Sequence, residues 1–456
     1  MSRNIYWCTV VAVLLGNPLN ALAADDADLQ IIRNQIQQLK QSDEQRNLQL
    51  EQRLQQAESA VAQAQAAARQ ASRPVTSNEN SFNPAVSLIL SGIYGQLKQD
   101  LAIPATGFAM NANNTGYIRG FSLTESELGI AANIDPQFRG ISTFSLDRAG
   151  GLNVENAFVQ TSALGNGLNL KFGRFFSGLG YLNEQHAHAW DFVDQPLVYR
   201  VLWDNQIGDD GLQLKWLAPT DMFVEVGGEV GRGRGFPGSD RQDKNGSGAG
   251  VLFAHVGDDI GIEHSWRAGI SLHETRRVGA VSVAVPDLTG TVGGVSNSFT
   301  GDSKTAGLDF VWKYSPNGNF RERYLKLQSE YFRRKENGLL TYDNNTPSST
   351  TDKYSVMQSG WYLQSVYQFR PTWRTGVRYD RLTSGIANVG ASIAGNVISN
   401  YAFNPSRFTW MVDYSPSEFS RIRLQLAHDN SRQGLAENQM FLQYIMSLGA
   451  HGAHQY

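Results

Sequence analysis

The chain is poor in cysteine, in long apolar runs and in surplus charge of either sign, and each shortage removes a class of protein. The one cysteine, Cys8, lies in a leader-like segment. Disulfides and thiolate metal sites are therefore not expected in the rest of the chain. No later run approaches about 18 apolar residues, so no membrane-spanning helix is expected. The 39 basic residues nearly balance the 42 acidic ones. That excludes the strongly basic footprint of a nucleic-acid-binding protein. Between Asp25 and Ser72 there is no glycine, proline or aromatic residue at all. The strongest turn formers and the bulky rings are missing there while Gln and Ala dominate, which favours a helix.

What is present divides the chain. Residues 1–23 read as a secretory signal, with Arg3, an apolar stretch Val10–Leu15, and the small-x-small site Ala21-Leu22-Ala23. Residues 24–73 carry heptad positions at Leu29, Ile36, Asp43 and Leu50, with companions at Ile32, Leu39 and Arg46. This predicts a coiled-coil helix, polar enough to need partners for stability. Pro74 stops it, and 74–85 is a Ser/Asn-rich linker.

Strand material fills 86–448. Leu325, Leu327 and Tyr331 alternate with Lys326, Gln328 and Glu330; Trp373, Val377 and Tyr379 alternate with Arg374, Arg378 and Asp380; Ile422, Leu424 and Leu426 alternate with Arg421, Arg423 and Gln425. An apolar face opposite a charged one needs lipid on one side and water on the other, because a charge at the bilayer midplane costs about 2–4 kcal/mol. The 45 glycines, 9 Trp, 17 Tyr and 22 Phe fit turns and aromatic girdles. Seven short turns, near residues 135, 165, 219, 260, 317, 370 and 416, alternate with eight longer loops. The expected fold is thus all-β: an antiparallel transmembrane barrel of about 16 strands with an aqueous interior. An even count puts both barrel ends on the short-turn side, the periplasmic side in outer-membrane barrels. Residues 449–456 form a short tail there, and the stalk hangs in the periplasm.

The longest interruption is 176–208, aromatic, Gly- and His-bearing, without helix period. It is expected to fold into the lumen and constrict it. Lys171, Arg174, Arg200, Arg374, Arg378, Arg421 and Arg423 are candidate basic residues of that constriction, offset by Glu127, Glu225, Glu229, Asp309, Glu330 and Asp380. His186 and His188 stand two apart, with Asp191 and Asp194 nearby. In extended chain both imidazoles point one way, a spacing suited to transient zinc. His451 and His454 in the tail, with His255, Asp258, Asp259, Glu263 and His264 around one turn, form a second, weaker cation group. No resident cofactor and no catalytic nucleophile–base pair stands out.

A signal, a Gln/Ala-rich coiled coil and a sixteen-strand barrel together resemble Gram-negative porins with an N-terminal periplasmic coiled coil. That resemblance implies a homotrimer in the outer membrane passing small solutes. The stretches 82–95, 173–200, 209–221 and the ending 449–456 are more specifically similar to a group labelled zinc-regulated porin or TonB-dependent receptor. The receptor label fits poorly, since it needs about 22 strands around a plug. The zinc label implies metal-linked transport. The competing expectation is a plugged barrel that tethers the envelope or binds at the surface.

Overall fold

The computed structural model describes residues 84–98, 105–108, 119–146, 150–162, 164–239, 245–277, 283–284, 296–342, 347–394 and 403–449. In a separate N-terminal unit, 1–81, it describes positions 34, 37, 38, 40 and 41, all helical. The expected signal, the rest of the coiled coil, nearly all of the linker, and the tail with His451 and His454 lie outside the described residues.

The second unit is an antiparallel sheet that closes on itself. Its strands are β1 (Ala85–Gln96), β2 (Gly120–Leu123 continued by Ser126–Asn133), β3 (Phe138–Leu146), β4 (Leu152–Thr161), β5 (Leu168–Phe176), β6 (Gly208–Leu217), β7 (Phe223–Gly231) and β8 (Ala249–Ile260). They continue as β9 (His264–Arg277), β10 (Ser296–Tyr314), β11 (Tyr324–Tyr342), β12 (Thr350–Arg370), β13 (Trp373–Thr383), β14 (Ser406–Ser417), β15 (Ser420–Asn430) and β16 (Glu437–Gly449). Each pairs with its neighbour in sequence. β1 closes the cylinder on β16, from Ser87↔Gly449 to Gln96↔Met440. Closure leaves the sheet no free edge. Two short pairings, at Val283–Ala284 and Asn388–Val389, add to β10 and β12 above the wall.

The alternation read from sequence is the wall. Leu308 is 56% exposed on the outside while its neighbour Asp309 is 4% exposed inside. Such inversion, greasy out and charged in, repeats along β11, β13 and β15. A soluble barrel would show the reverse, so the outer face is suited to lipid. Among the described residues no helix is long and apolar enough to cross a membrane. Aromatic rings gather at the short-turn rim: His264 stacks with Trp312 and Tyr314, and Trp373 lies 4.8 Å from Tyr414. His264 thus faces outward with the girdle and does not join a cation site.

Seven turns at one rim and eight loops at the other join the sixteen strands, as the punctuation predicts. Strands β10–β12 are long, 19, 19 and 21 residues. A spanning strand needs about 9–11 residues. The excess lies on the long-loop side, where β12 runs on past the start of its pairing with β13 at Ser359↔Thr383.

Candidate functional site

Loop 3, residues 177–207, leaves β5 and turns into the barrel. Gly180 makes the turn at φ +68, where a Cβ would lie 2.5 Å from Glu330 Oε1. A short helix, α1 (Leu197–Trp203), follows Pro196 and ends at Asp204 in the left-handed region, φ 52. Six of its seven residues are buried. A helix with apolar side chains on nearly every side must be enclosed, and here the barrel encloses it, with Arg200 the one residue not buried. Tyr199 and Trp203 meet Phe332 of β11 edge-on, with centroids 5.4 and 4.7 Å away. Phe253, Tyr362 and Leu382 from β8, β12 and β13 complete the cluster. Phe108 of the first loop joins it, and Gly107 accepts a hydrogen bond from Gln358. The sequence shows no helix in this loop, because under two turns leave no period to detect.

Polar contacts tie the loop to opposite walls. On the β11–β15 side, Asp191 accepts from Arg374 at 3.1 Å and pairs with Lys326. Asp194 pairs with Arg378 at 2.9 Å and with Arg407. Arg374 and Arg423 share Asp413, and Arg423 also donates to the Trp190 carbonyl at 2.9 Å. Burial alone would raise the Asp191 carboxyl, but Lys326 and Arg374 outweigh it and hold it down at about 2.

On the β2–β4 side the signs reverse. His186 Nδ1 lies 2.8 Å from Glu155 Oε2 and 3.2 Å from Glu127 Oε2. His188 Nδ1 lies 2.8 Å from Glu127 Oε1. The two rings stack at 5.8 Å. Asn156 Nδ2 lies 2.9 Å from His186 Nε2. Burial opposes charge on His186, yet the bonds to Glu127 and Glu155 push it up to about 10. Gly178 N–H donates to Glu229 at 2.8 Å, a third tie on β7.

Two β-bulges aim the acids. From Gly92↔Leu123 to Ile89↔Glu127, three steps on β1 face four on β2. The extra residue turns Glu127 inward, although Leu123 at the same parity points outward. On β4, Thr143 pairs with Asn156 and Phe144 with Val154, which leaves Glu155 as the bulged residue.

Below loop 3, toward the short turns, opens a cavity of about 1090 Å³. Arg139, Lys171, Arg267, Lys313, Lys326, Arg374 and Arg421 line it, against three carboxylates, Glu127, Glu184 and Asp191. That is seven cations to three anions, a net of +4 before the histidines. Lys171 lies over the rings of Phe158 and Phe175, at 4.8 and 5.3 Å.

The expected basic set therefore divides. Lys171, Arg374 and Arg421 reach the cavity. Arg378 and Arg423 are sealed behind loop 3 in ion pairs. Arg200 belongs to α1, so it rides on the loop and not on the wall. Arg174 does not line the cavity. It pairs with Asp210 at 2.6 Å, one register step beyond Gly173↔Gly211 and two beyond the outward pair Phe172↔Leu212. The expected metal set divides as well: Asp191 and Asp194 are taken by lysine and arginine, and glutamates from β2 and β4 stand by the histidines instead. His255, expected near an exit, is a buried wall residue 3.2 Å from Glu225. Glu155 and Asp413 were missed, because only strand register brings them to the loop.

No family model matches the chain. An uncharacterized protein of Aquifex aeolicus (strain VF5) is 30% identical over 414 residues, 83% of this chain and 81% of that protein. Among solved structures, the trimer form of OmpT from Vibrio cholerae aligns with TM-score 0.48 and 12% identity, over 80% of this chain and 99% of that one. The anion-selective porin from Comamonas acidovorans aligns at 0.47 and 13%, over 80% and 99%. The outer membrane channel DcaP of Acinetobacter baumannii aligns at 0.46 and 10%, over 80% and 97%.

Proposed function

The chain belongs to one protein family with the uncharacterized Aquifex aeolicus protein, and from its barrel, cavity and inward loop we propose that it is an outer-membrane porin for passive diffusion of small solutes, anions before cations. The observation that carries the reading is the cavity of about 1090 Å³ roofed by loop 3. A sixteen-strand cylinder is too wide to be filled by its own wall side chains. Its charged inner face needs water, and its apolar outer face needs lipid. With short turns toward the periplasm, the cavity is the inner vestibule. Loop 3, tied to both walls, is the constriction above it. A net charge of +4 in a low-dielectric cup concentrates anions. Zinc as cargo fits this field poorly, so the histidine cluster favours an ion that stays. We place the N-terminal helix in the periplasm and expect a homotrimer.

Planar-bilayer recording tests the reading. Wild-type protein should give stepwise currents with an anion-leaning reversal potential in a KCl gradient, and deletion of 181–204 should enlarge them. A silent barrel, even after that deletion, would sink it. The packing of Val198, Tyr199 and Leu202, all fully buried, favours one other reading: a plugged barrel serving as an envelope tether. Then removal of 25–72 would loosen the envelope and leave uptake unchanged.

A further inference from the structure

The geometry points to a divalent-cation site formed by Glu127, Glu155, His186 and His188, an ion that clasps loop 3 to the β2–β4 wall. Three ligand atoms, one each from Glu127, Glu155 and His186, already lie within 4.8 Å of one another. His188 Nδ1 reaches the other oxygen of Glu127 at 2.8 Å. Two imidazoles and two carboxylates make a nitrogen–oxygen donor set. Such a set suits zinc and its borderline neighbours, and it is a poor match for magnesium or calcium, which take oxygen alone.

A second observation points the same way. The Glu155 side chain is only 8% exposed, yet its Oε1 has no hydrogen-bond partner. Glu125, from the β2 bulge, lies against it, and only a proton shared between the two carboxyl groups joins them. A bound dication would face the Glu127 and Glu155 carboxylates together and take the place of that shared proton. Both carboxylate ligands come from β-bulges, and bulges commonly re-aim side chains at functional sites. If His186 binds through Nδ1, its Nε2–H needs an acceptor. Asn156 now meets it with its amide nitrogen at 2.9 Å while its oxygen accepts from Phe176 N–H at 3.3 Å, so metal binding through Nδ1 requires the Asn156 amide to turn over. Glu127, His186 and His188 all border the vestibule, so an ion has a wet route in.

The test uses the full chain, refolded in detergent and stripped with EDTA, and zinc alone as the probe. Competition against a chromophoric chelator should give one zinc per chain. Glu155→Gln, which keeps shape, should weaken binding more than tenfold, and His186→Ala with His188→Ala should abolish it. Glu184→Gln borders the same cavity away from the cluster and should leave binding unchanged. Absorption spectroscopy at the zinc edge should show nitrogen and oxygen ligands with imidazole scattering. Zinc that fails to bind the wild type, binds the double histidine variant equally well, or lacks imidazole ligands would overturn the site. None of these readouts needs current, so the site and the channel stand or fall separately.

Discussion

Asp194 grips Arg378 twice: its carboxylate accepts from Nη2 at 2.9 Å and its own carbonyl accepts from Nη1 at 2.7 Å. The pair links loop 3 to β13 across 184 residues of sequence. Removing one partner of a buried pair leaves an uncompensated charge and costs about 3–5 kcal/mol. Asp194→Ala should therefore free loop 3 from this wall, raise single-channel conductance and open 177–207 to protease. An unchanged conductance together with an intact loop would show that the constriction does not depend on this anchor.

Acid should act on the same wall through Asp191. Its carboxyl is held at about 2 in the folded chain, below its ordinary value of 3.8. A lowered carboxylate adds stability above the unfolded value and loses it as pH falls toward the folded one. Loop 3 should thus loosen between roughly pH 4 and pH 2, read as a step in conductance or protease access. Asp191→Asn should remove that step, whereas a step that survives the substitution would assign it elsewhere.

Vestibule charge should set selectivity. Lys171→Glu changes the lining from +4 to +2 and touches no anchor of the loop. The reversal potential should move toward cations. The effect should be larger in dilute salt, where screening reaches beyond about 10 Å. Arg174→Ala serves as the contrast. Its pair with Asp210 is about a quarter to a third exposed, with side chains at 26% and 31%. Stability should fall by no more than about 1 kcal/mol, with selectivity unchanged.

Gly180 is required by both conformation and space. At φ +68 its added Cβ would stand 2.5 Å from Glu330 Oε1 and 2.8 Å from the Tyr199 hydroxyl. Gly180→Ala should cost more than about 1 kcal/mol, and should expose 177–207 to protease while the barrel keeps its strand circular dichroism. Full protection of the loop in this variant would mean that Glu330 and Tyr199 yield without cost.

Much of the wall was legible because a strand reports its own environment. Leu308 beside Asp309, or Trp373 beside Arg374, states in two residues which side is oil and which is water. Turn chemistry marked where each strand stops, and the count of stops set the parity. α1 escaped notice because seven residues carry no period. Glu127 was legible only as a lumen charge and Glu155 not at all, because a bulge depends on register between strands, and register is not written in either strand alone.

By itself, then, the sequence determined the cylinder: alternation repeated sixteen times, an outside fit for lipid, an inside fit for water, and a long loop with nowhere polar to go but inward. Which charges meet was decided only when the cylinder closed. His186 finds Glu155 and Asp194 finds Arg378 because closure brings distant strands around one loop, and a buried charge takes the opposite charge nearest in space, whatever its distance along the chain.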